Sequence, residues 1–208
     1  IFYLTGVDQE ETILVLFPDA IEKKHRELLF VKETNAHIAV WEGAKLTKKA
    51  ATEQSGINTV YWLSEFERIF QELSTQCECF YFNTNDHYRQ SVETQTREDR
   101  FIAWCKKNYP AHAVAKSNPI LQKLRAVKSP EEIGQIQKAC DITAKGFKRI
   151  LKLVKPGIWE YEIEAALVHE FICNRSKGFA YEPIIAAGKN NNVLHYTDNN
   201  QKCNTGDL

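Results

Sequence analysis

The chain has 208 residues, of which 43% are hydrophobic and 11% aromatic, so it has ample apolar side chains for one or two folded domains and is not intrinsically disordered. Its 27 basic and 27 acidic residues give a formal net charge of zero, which argues against nucleic acid as a partner. No apolar run is long enough to cross a bilayer, so a membrane is not an expected partner either.

The first part of the chain alternates between apolar runs and amphipathic segments. The apolar runs predict strands at residues 2–6, 12–17, 28–31 and 79–82. Helices are predicted at residues 64–73, with Ser64 as the cap, and at residues 97–108. Strands that alternate with helices are typical of an α/β unit with a largely buried sheet. Trp41 opens a polar segment, and the default interpretation is an indole that packs over this domain.

Ser117-Asn118-Pro119 indicates a linker between two domains, which we place at residues 1–118 and 119–208. A strong helix start follows at residues 129–132 (SPEE). The serine caps the first turn, the proline suits its first position and the second glutamate completes a capping box. Apolar residues then recur with the helical period as far as residue 154.

A second helix is predicted to begin at Trp159 or the next residue and to stop at Gly178, since KPG at residues 155–157 breaks the first one. Short apolar segments follow and are predicted to be strands, at residues 179–181, 183–186 and 193–197. Two packed helices followed by antiparallel strands are typical of the first half of an α+β domain.

His195 has the most distinctive context of any titratable residue. It lies in the predicted strand VLHYT (193–197), between an asparagine-rich segment that starts at Gly188 and a polar turn at residues 204–207. A strand flanked by tight turns presents an imidazole at a fixed place. On this pattern alone a core or edge histidine is the default interpretation, and a functional histidine is the alternative.

Other catalytic and binding motifs fail. An HExxH zinc motif begins at His169 but has Cys173 in place of the second histidine, and neither a phosphate loop nor a G-x-S-x-G elbow is present. No two cysteines have the C-x-x-C spacing of zinc knuckles. Six scattered cysteines favour free thiols in a reducing compartment, which predicts a cytoplasmic protein.

Several segments together resemble the Xaa-Pro aminopeptidase (aminopeptidase P) family in order and spacing. The carboxyl-terminal segments are LRAVKSPEEI (124–133), KPG (155–157), EYEIE (160–164), LHYTDN (194–199) and GDL (206–208). The amino-terminal segments are FYLTG (2–6) and WEGAKL (41–46). The resemblance covers nearly the whole chain. The LHYTDN motif is quite specific, since the related prolidases and methionine aminopeptidases often carry a P-H-G-like version.

The resemblance implies an α/β amino-terminal domain, with a mixed sheet and helices, followed by the first part of an α+β pita-bread domain. It implies a metallopeptidase that removes the first residue of peptides with proline in second position. In the family two divalent metal ions, typically manganese, hold a bridging hydroxide that attacks the scissile carbonyl, because metals lower the pKa of bound water. Their ligands are two aspartates, a histidine and two glutamates, a set that suits such ions.

Two residues take a role from the resemblance. His195 matches a histidine beside the metals that hydrogen-bonds substrate near the scissile peptide, which implies a catalytic and substrate-binding residue. Trp41 matches a tryptophan that reaches a neighbouring subunit's active site in tetrameric members, which implies a substrate contact and a homodimer or homotetramer. The metal ligands would all lie beyond Leu208. We therefore expect a truncated chain that by itself binds no metal pair and shows no peptidase activity.

Two alternatives share the pita-bread fold. Metal-free homologues act as peptide- or histone-binding modules, and creatinase-like enzymes are hydrolases that use no metal. The retained LHYTDN motif favours the peptidase, because a binding module has no need of that histidine. The presence or absence of the metal-ligand set would decide between them.

Overall fold

A computed structural model describes residues 1–84 and 94–207 of the chain. Their contacts divide the chain into two compact units, Ile1–Gln122 and Lys123–Leu208. Helix α6 (Asn118–Ala126) begins where the sequence predicts a linker, and Asn118 Oδ1 accepts a hydrogen bond from Thr84 N at 3.0 Å. The division into domains 1–118 and 119–208 stays a prediction, because contacts alone do not establish that a segment folds independently.

The amino-terminal unit is built on a three-stranded mixed sheet in the order β1-β2-β3. Strand β1 (Ile13–Leu16) runs antiparallel to β2 (Glu27–Val31), whereas β3 (Thr59–Trp62) runs parallel to β2. Residues 28–31 of β2 are 0% exposed. A strand that is paired on both edges and covered on both faces is buried throughout, which is why the sequence there is an unbroken apolar run.

Side chains of β2 alternate between two apolar clusters. On one face, helix α3 (Lys48–Ser55) contributes to the cluster of Val7, Leu29, Val31, Ala51 and Ile57. On the other face, helix α4 (Phe66–Ser74) contributes to the cluster of Leu28, Phe30, Phe66, Ile69 and Leu73. The two-residue period of a strand sends neighbouring side chains to opposite faces, so one four-residue run supplies both halves of the core.

A second sheet pairs two parallel strands, β4 (Cys79–Phe82) and β5 (Ala113–Lys116), and helix α5 (Arg97–Asn108) lies between them in the chain. The predicted bounds of β4 and α5 are confirmed. Each has a clear sequence signal: β4 is an aromatic run, and Thr96 Oγ1 caps α5 by accepting from Asp99 N at 3.1 Å. Rings of β4, of α5 and of the residue after it pack together with a ring of α4, namely Phe80, Phe101, Trp104, Tyr109 and Phe70.

The predicted strand at residues 2–6 is wrong. These residues form the helical turn α1 (Phe2–Thr5), which Gly6 ends in the left-handed conformation with φ 67°. Gly6 N donates to Phe2 O at 2.7 Å, and Thr5 Oγ1 accepts from Val7 N at 3.1 Å. Local hydrogen bonds therefore satisfy this segment, and hydrophobic periodicity does not detect such bonds.

The predicted cap of α4 is also wrong. Helix α4 begins at Phe66, after a 3-10 turn at Leu63–Glu65, and the Ser64 hydroxyl donates instead to the Glu33 carboxylate. Glu65 Oε2 accepts from Trp62 N at 3.0 Å and so closes the start of the turn. This unit also contains helix α2 (Ala36–Glu42), which Asn35 caps by accepting from Ile38 N at 2.9 Å, and a 3-10 turn at Lys23–His25.

The carboxyl-terminal unit is organised around two helices that pack together, α7 (Pro130–Leu153) and α8 (Glu160–Cys173). The predicted capping box is confirmed: Ser129 Oγ accepts from Glu132 N at 3.3 Å, and Glu132 Oε2 accepts from Ser129 N at 2.8 Å. Helix α8 begins as predicted but ends at Cys173, before Gly178. Within residues 1–84 and 94–207, no helix is long and apolar enough to cross a membrane.

The predicted strands at residues 179–186 and 193–197 are not formed among the described residues of this unit. The segment contains instead a 3-10 turn, Gly188–Asn192, and an isolated antiparallel bridge between Trp159 and Lys202. The physical reason is that side chains take up the backbone donors that a ladder would use. Ile185 N donates to Asn199 Oδ1 at 2.9 Å, and Ala187 N donates to Glu160 Oε1 at 2.8 Å.

Candidate active site

His195 lies in an exposed turn and not on a strand. The preceding 3-10 turn is closed by Val193 N, which donates to Asn190 O at 2.9 Å. The neighbouring Leu194 is 87% exposed, so this apolar run is not part of a core. The strand prediction and the default interpretation of His195 as a core or edge histidine are therefore wrong, and the imidazole is open to solvent.

A buried carboxylate, that of Glu160 at the first position of α8, binds the residues on both sides of this turn. It is 0% exposed, and both of its oxygens accept two hydrogen bonds. Oε1 accepts from Ala187 N at 2.8 Å and from Asn190 Nδ2 at 3.2 Å. Oε2 accepts from the Tyr196 hydroxyl at 2.7 Å and from Gln201 N at 2.8 Å. One carboxylate thus collects four donors from the segment on either side of His195.

The hydrogen bonds keep this carboxylate ionised. Burial by itself raises the pKa of Glu160, but the bonds from Tyr196, Gln201, Ala187 and Asn190 outweigh it and bring the pKa below its ordinary value. Burial and the bond to Glu160 raise the pKa of Tyr196, so the phenol stays protonated and remains a donor. The site therefore contains a buried anion surrounded by donors, the condition under which a buried charge is tolerated.

Asn199 is a second buried anchor, 3% exposed. Its Oδ1 accepts from Ile185 N at 2.9 Å, and its Nδ2 donates to Glu164 Oε2 and to Pro183 O, both at 2.9 Å. Its backbone has φ 47°, a left-handed conformation that asparagine tolerates better than most residues. Asn199 therefore ties residues 183–185 to helix α8.

Residues 201–203, which follow the His195 turn, are paired by backbone hydrogen bonds with residues 157–160 at the start of α8. Gly157 N donates to Cys203 O at 2.7 Å, Cys203 N donates to Ile158 O at 2.8 Å, and Glu160 N donates to Gln201 O at 2.9 Å. The Lys202 ammonium also lies 6.0 Å from the centre of the Trp159 ring, within cation–π range. This pairing fixes the part of the chain that follows His195.

Sequence reasoning missed the roles of Glu160, Tyr196 and Asn199, although all three lie inside motifs that carried the resemblance. Hydropathy patterns place glutamate and asparagine on the solvent side, so burial of Glu160 and Asn199 gives no periodic signal. The available signal was spacing. Glu160 and Glu164 are four residues apart and so lie on one face of α8, where each accepts from the segment 187–201.

Trp41 lies in the last turn of α2 in the amino-terminal unit and is 77% exposed, next to Val40 at 80%. The default interpretation of a tryptophan packed over the first domain is therefore wrong. The short helix presents the indole to solvent, and none of its residues belongs to the two apolar clusters that contain β2. Trp41 and His195 belong to different units of the chain.

The residues present do not fit a metal pair. In the part of the chain that the structure describes, no group of three or more His, Cys, Asp and Glu side chains is arranged to hold a metal ion. The two carboxylates that bind the segment around His195, Glu160 and Glu164, accept hydrogen bonds from the protein's own donors.

Family models match both units. The model described as "Aminopeptidase P, N-terminal domain" matches residues 1–81, and the model described as "Metallopeptidase family M24" matches residues 134–208. The chain is 28% identical over 207 residues to an Xaa-Pro aminopeptidase of Haemophilus influenzae, covering 100% of this chain and 45% of the relative. It is also 28% identical over 208 residues to that of Escherichia coli, covering 100% of this chain and 47% of the relative.

Solved structures match over the same extent. A Bacillus anthracis structure described as an aminopeptidase P has a TM-score of 0.87 and 30% identity, covering 99% of this chain and 49% of that one. A zinc-substituted E. coli aminopeptidase P in complex with product has a TM-score of 0.81 and 26% identity, covering 99% and 47%. The chain thus spans about half the length of the proteins it matches. Both the sequence and the fold are similar to theirs along the whole chain, with the aminopeptidase P amino-terminal domain followed by the first part of the pita-bread domain.

Proposed function

We propose that these 208 residues are part of a metal-dependent aminopeptidase that removes the first residue of peptides with proline in second position. The observation that carries the proposal is the continuity of the match. Relatives named Xaa-Pro aminopeptidase align over the whole of this chain, through both units and through the His195 turn. A protein that shared only the amino-terminal domain with them would not continue into the M24 segment.

Within this activity we assign His195 to the substrate. Its imidazole is exposed, while the chain on both sides of it is held by Glu160 and Asn199. A fixed backbone with a solvent-facing imidazole suits a group that donates a hydrogen bond to a peptide as charge develops on the scissile carbonyl. In the peptidase, His195→Ala should lower kcat about 100-fold or more, the usual loss for a transition-state donor.

We assign the metal ions to residues other than these 208. The described residues offer no ligand group, and the relatives are about twice as long as this chain. Two divalent ions, manganese by the resemblance, would be bound by residues beyond Leu208. The match to the metallopeptidase family model and the zinc substitution in the E. coli structure support a divalent ion of some kind.

The test compares two proteins, the 208-residue chain and the whole product of the open reading frame that contains it. Each is assayed for release of the first residue from an X-Pro peptide, with the matching X-Ala peptide as control, and each is analysed for bound metal. We expect hydrolysis of the X-Pro peptide by the longer protein only, with loss of activity on chelation and recovery on addition of Mn²⁺.

Two results would overturn parts of this proposal. Hydrolysis by the 208-residue chain would place the metal ligands inside it. A longer protein that binds X-Pro peptides without cleaving them, and contains no metal, would instead be a peptide-binding module.

We also propose a homodimer or homotetramer in which Trp41 contacts substrate bound to a neighbouring subunit. The exposure of both Val40 and Trp41 supports this, since it leaves an apolar surface open to a neighbouring subunit. Light scattering of the longer protein tests the assembly, and Trp41→Ala should then raise KM more than it lowers kcat.

We also propose a cytoplasmic location. The six cysteines are all free thiols, which supports a reducing compartment.

A further inference from the structure

We propose that Glu160 is the positioning residue for His195, in that its buried carboxylate holds the two arms of the turn from which the imidazole projects. This inference rests on the proposed function for its catalytic meaning. Its structural content stands on contacts within the carboxyl-terminal unit.

The four donors to Glu160 bracket His195 in the chain. Ala187 and Asn190 precede it and bind Oε1, whereas Tyr196 and Gln201 follow it and bind Oε2. The carboxylate therefore joins both arms at one point. Tyr196 is the residue next to His195, so fixing its hydroxyl at 2.7 Å from Glu160 fixes the peptide that carries the imidazole.

The chemistry at this point requires a carboxylate and not merely a polar side chain. An ionised carboxylate is an acceptor at both oxygens, so it satisfies four converging donors. Glutamine has the same shape but presents an NH₂ group at one of the two positions, where it would face a backbone donor, either the Ala187 N–H or the Gln201 N–H. Glu160→Gln should therefore release one arm of the turn while it leaves the volume of the side chain nearly unchanged.

A matched control lies two residues away. Glu162 is exposed and accepts from Trp159 N at 2.8 Å, so it closes the start of α8 without touching residues 187–201. Glu162→Gln makes the same chemical change, on the same turn of the helix, with no direct path to His195. A difference between the two variants then reports the position of the carboxylate and not the loss of a charge.

The test is NMR spectroscopy of the 208-residue chain, with the His195 ring signals and the amide signals of residues 187–201 as readouts. We expect Glu160→Gln to shift and broaden these signals, while the amides of α7 and of the last turns of α8 keep their wild-type shifts. Glu162→Gln should leave the His195 ring unchanged. Unchanged His195 signals in Glu160→Gln would overturn the inference.

Tyr196→Phe serves if Glu160→Gln does not fold, because it removes one donor and keeps the buried charge. We expect it to move the His195 ring signals in the same direction by a smaller amount, and a wild-type spectrum would overturn the inference. In the longer protein, Glu160→Gln should lower kcat about 10- to 100-fold with KM within about threefold, as misplacement of a catalytic group does. An inactive wild-type protein would contradict the proposed function and leave the NMR result to decide the positioning role.

Discussion

The two units of this chain are stabilised in different ways. In the amino-terminal unit the central strand β2 is enclosed by two apolar clusters, and the residues around it are large and buried. In the carboxyl-terminal unit the buried apolar residues among the described ones are Ile158, Ile163 and Ala166, and Glu160 and Asn199 are buried as well. Within these 208 residues the amino-terminal unit therefore buries mainly apolar side chains, and we call it the apolar unit. The carboxyl-terminal unit buries a charge and an amide and leaves apolar side chains of α7 exposed, and we call it the polar unit.

This difference distinguishes interactions that stabilise a fold from interactions that fix the position of one side chain. Apolar burial is non-directional, so it stabilises a fold without fixing any one side chain to a fraction of an ångström. A hydrogen bond loses strength steeply as its angle departs from linearity, so a network such as that of Glu160 favours a single arrangement of the chain. The segment that carries His195 is held by the directional kind of interaction, which the role proposed for His195 requires.

The largest effect is predicted for Phe30→Ala in the apolar unit. Phe30 is 0% exposed, stacks on Tyr61 with ring centroids 5.7 Å apart and meets Phe66 edge-on at 5.2 Å. Truncation should lower the free energy of unfolding of this unit by roughly 3 to 5 kcal/mol, the usual cost for a core phenylalanine. Urea unfolding followed by circular dichroism measures it. Leu16→Ala, at a site 55% exposed on the neighbouring strand, is the control and should cost less than about 0.5 kcal/mol. Equal losses would contradict the apolar description of this unit.

Thiol reactivity compares the two units in the unmodified protein. Burial raises the pKa of Cys105 in the amino-terminal unit to about 11, and its side chain is 1% exposed. Cys140 and Cys173 in the carboxyl-terminal unit are exposed. At pH 8 the raised pKa leaves roughly 100-fold fewer thiolates at Cys105 than at an ordinary cysteine. We expect Cys105 to react at least about 100-fold more slowly with an alkylating reagent, as measured by mass spectrometry of the peptides. In concentrated urea the rates should converge. Rapid native labelling of Cys105 would mean that its unit opens readily.

The next effect is predicted for Asn199→Ala in the polar unit. The change removes three hydrogen bonds at a buried site and places alanine at φ 47°. It should cost roughly 2 to 3 kcal/mol, measured by urea unfolding, because buried polar groups lose their partners and alanine is strained there. Asn199→Gly relieves the backbone but not the lost bonds, so it should recover only part of the loss. Full recovery with glycine would show that backbone strain, and not the polar network, determines the cost.

The sequence predicts the apolar unit well because its signals are local and periodic. Each of three elements is predicted by a pattern only a few residues long: the buried apolar run of β2, the aromatic run of β4 and the cap of α5. The same holds for α7, where serine, proline and glutamate mark the start. The errors at Gly6 and Ser64 come from single hydrogen bonds, which no periodicity records.

The candidate site could be predicted only in part, and for a physical reason. The sequence identifies His195 because its motif is distinctive, but the same residues wrongly predict a strand, since apolar and aromatic residues favour strands on average. The bonds that prevent a strand join residues 27 to 41 positions apart in the chain, from Glu160 to Ala187 and Gln201. Contacts at that separation have no local signature, so the role of Glu160 became visible only with the fold.

The smallest effect is predicted for a device that both units share, the helix capping box. Thr96 and Asp99 close α5 in the apolar unit, and Ser129 and Glu132 close α7 in the polar unit. Thr96→Ala and Ser129→Ala should each cost about 1 kcal/mol, because each leaves a first-turn N–H without its acceptor. Ser129→Asp should restore the wild-type value, since aspartate also caps and favours the helix dipole. Urea unfolding with probes in each unit measures both losses. Similar losses in free energy of unfolding for Thr96→Ala and Ser129→Ala would show that the two units differ in their buried residues and not in their helix caps. A loss at Ser129 as large as that of Asn199→Ala would mean that the cap of α7, and not the Asn199 network, dominates the stability of the carboxyl-terminal unit.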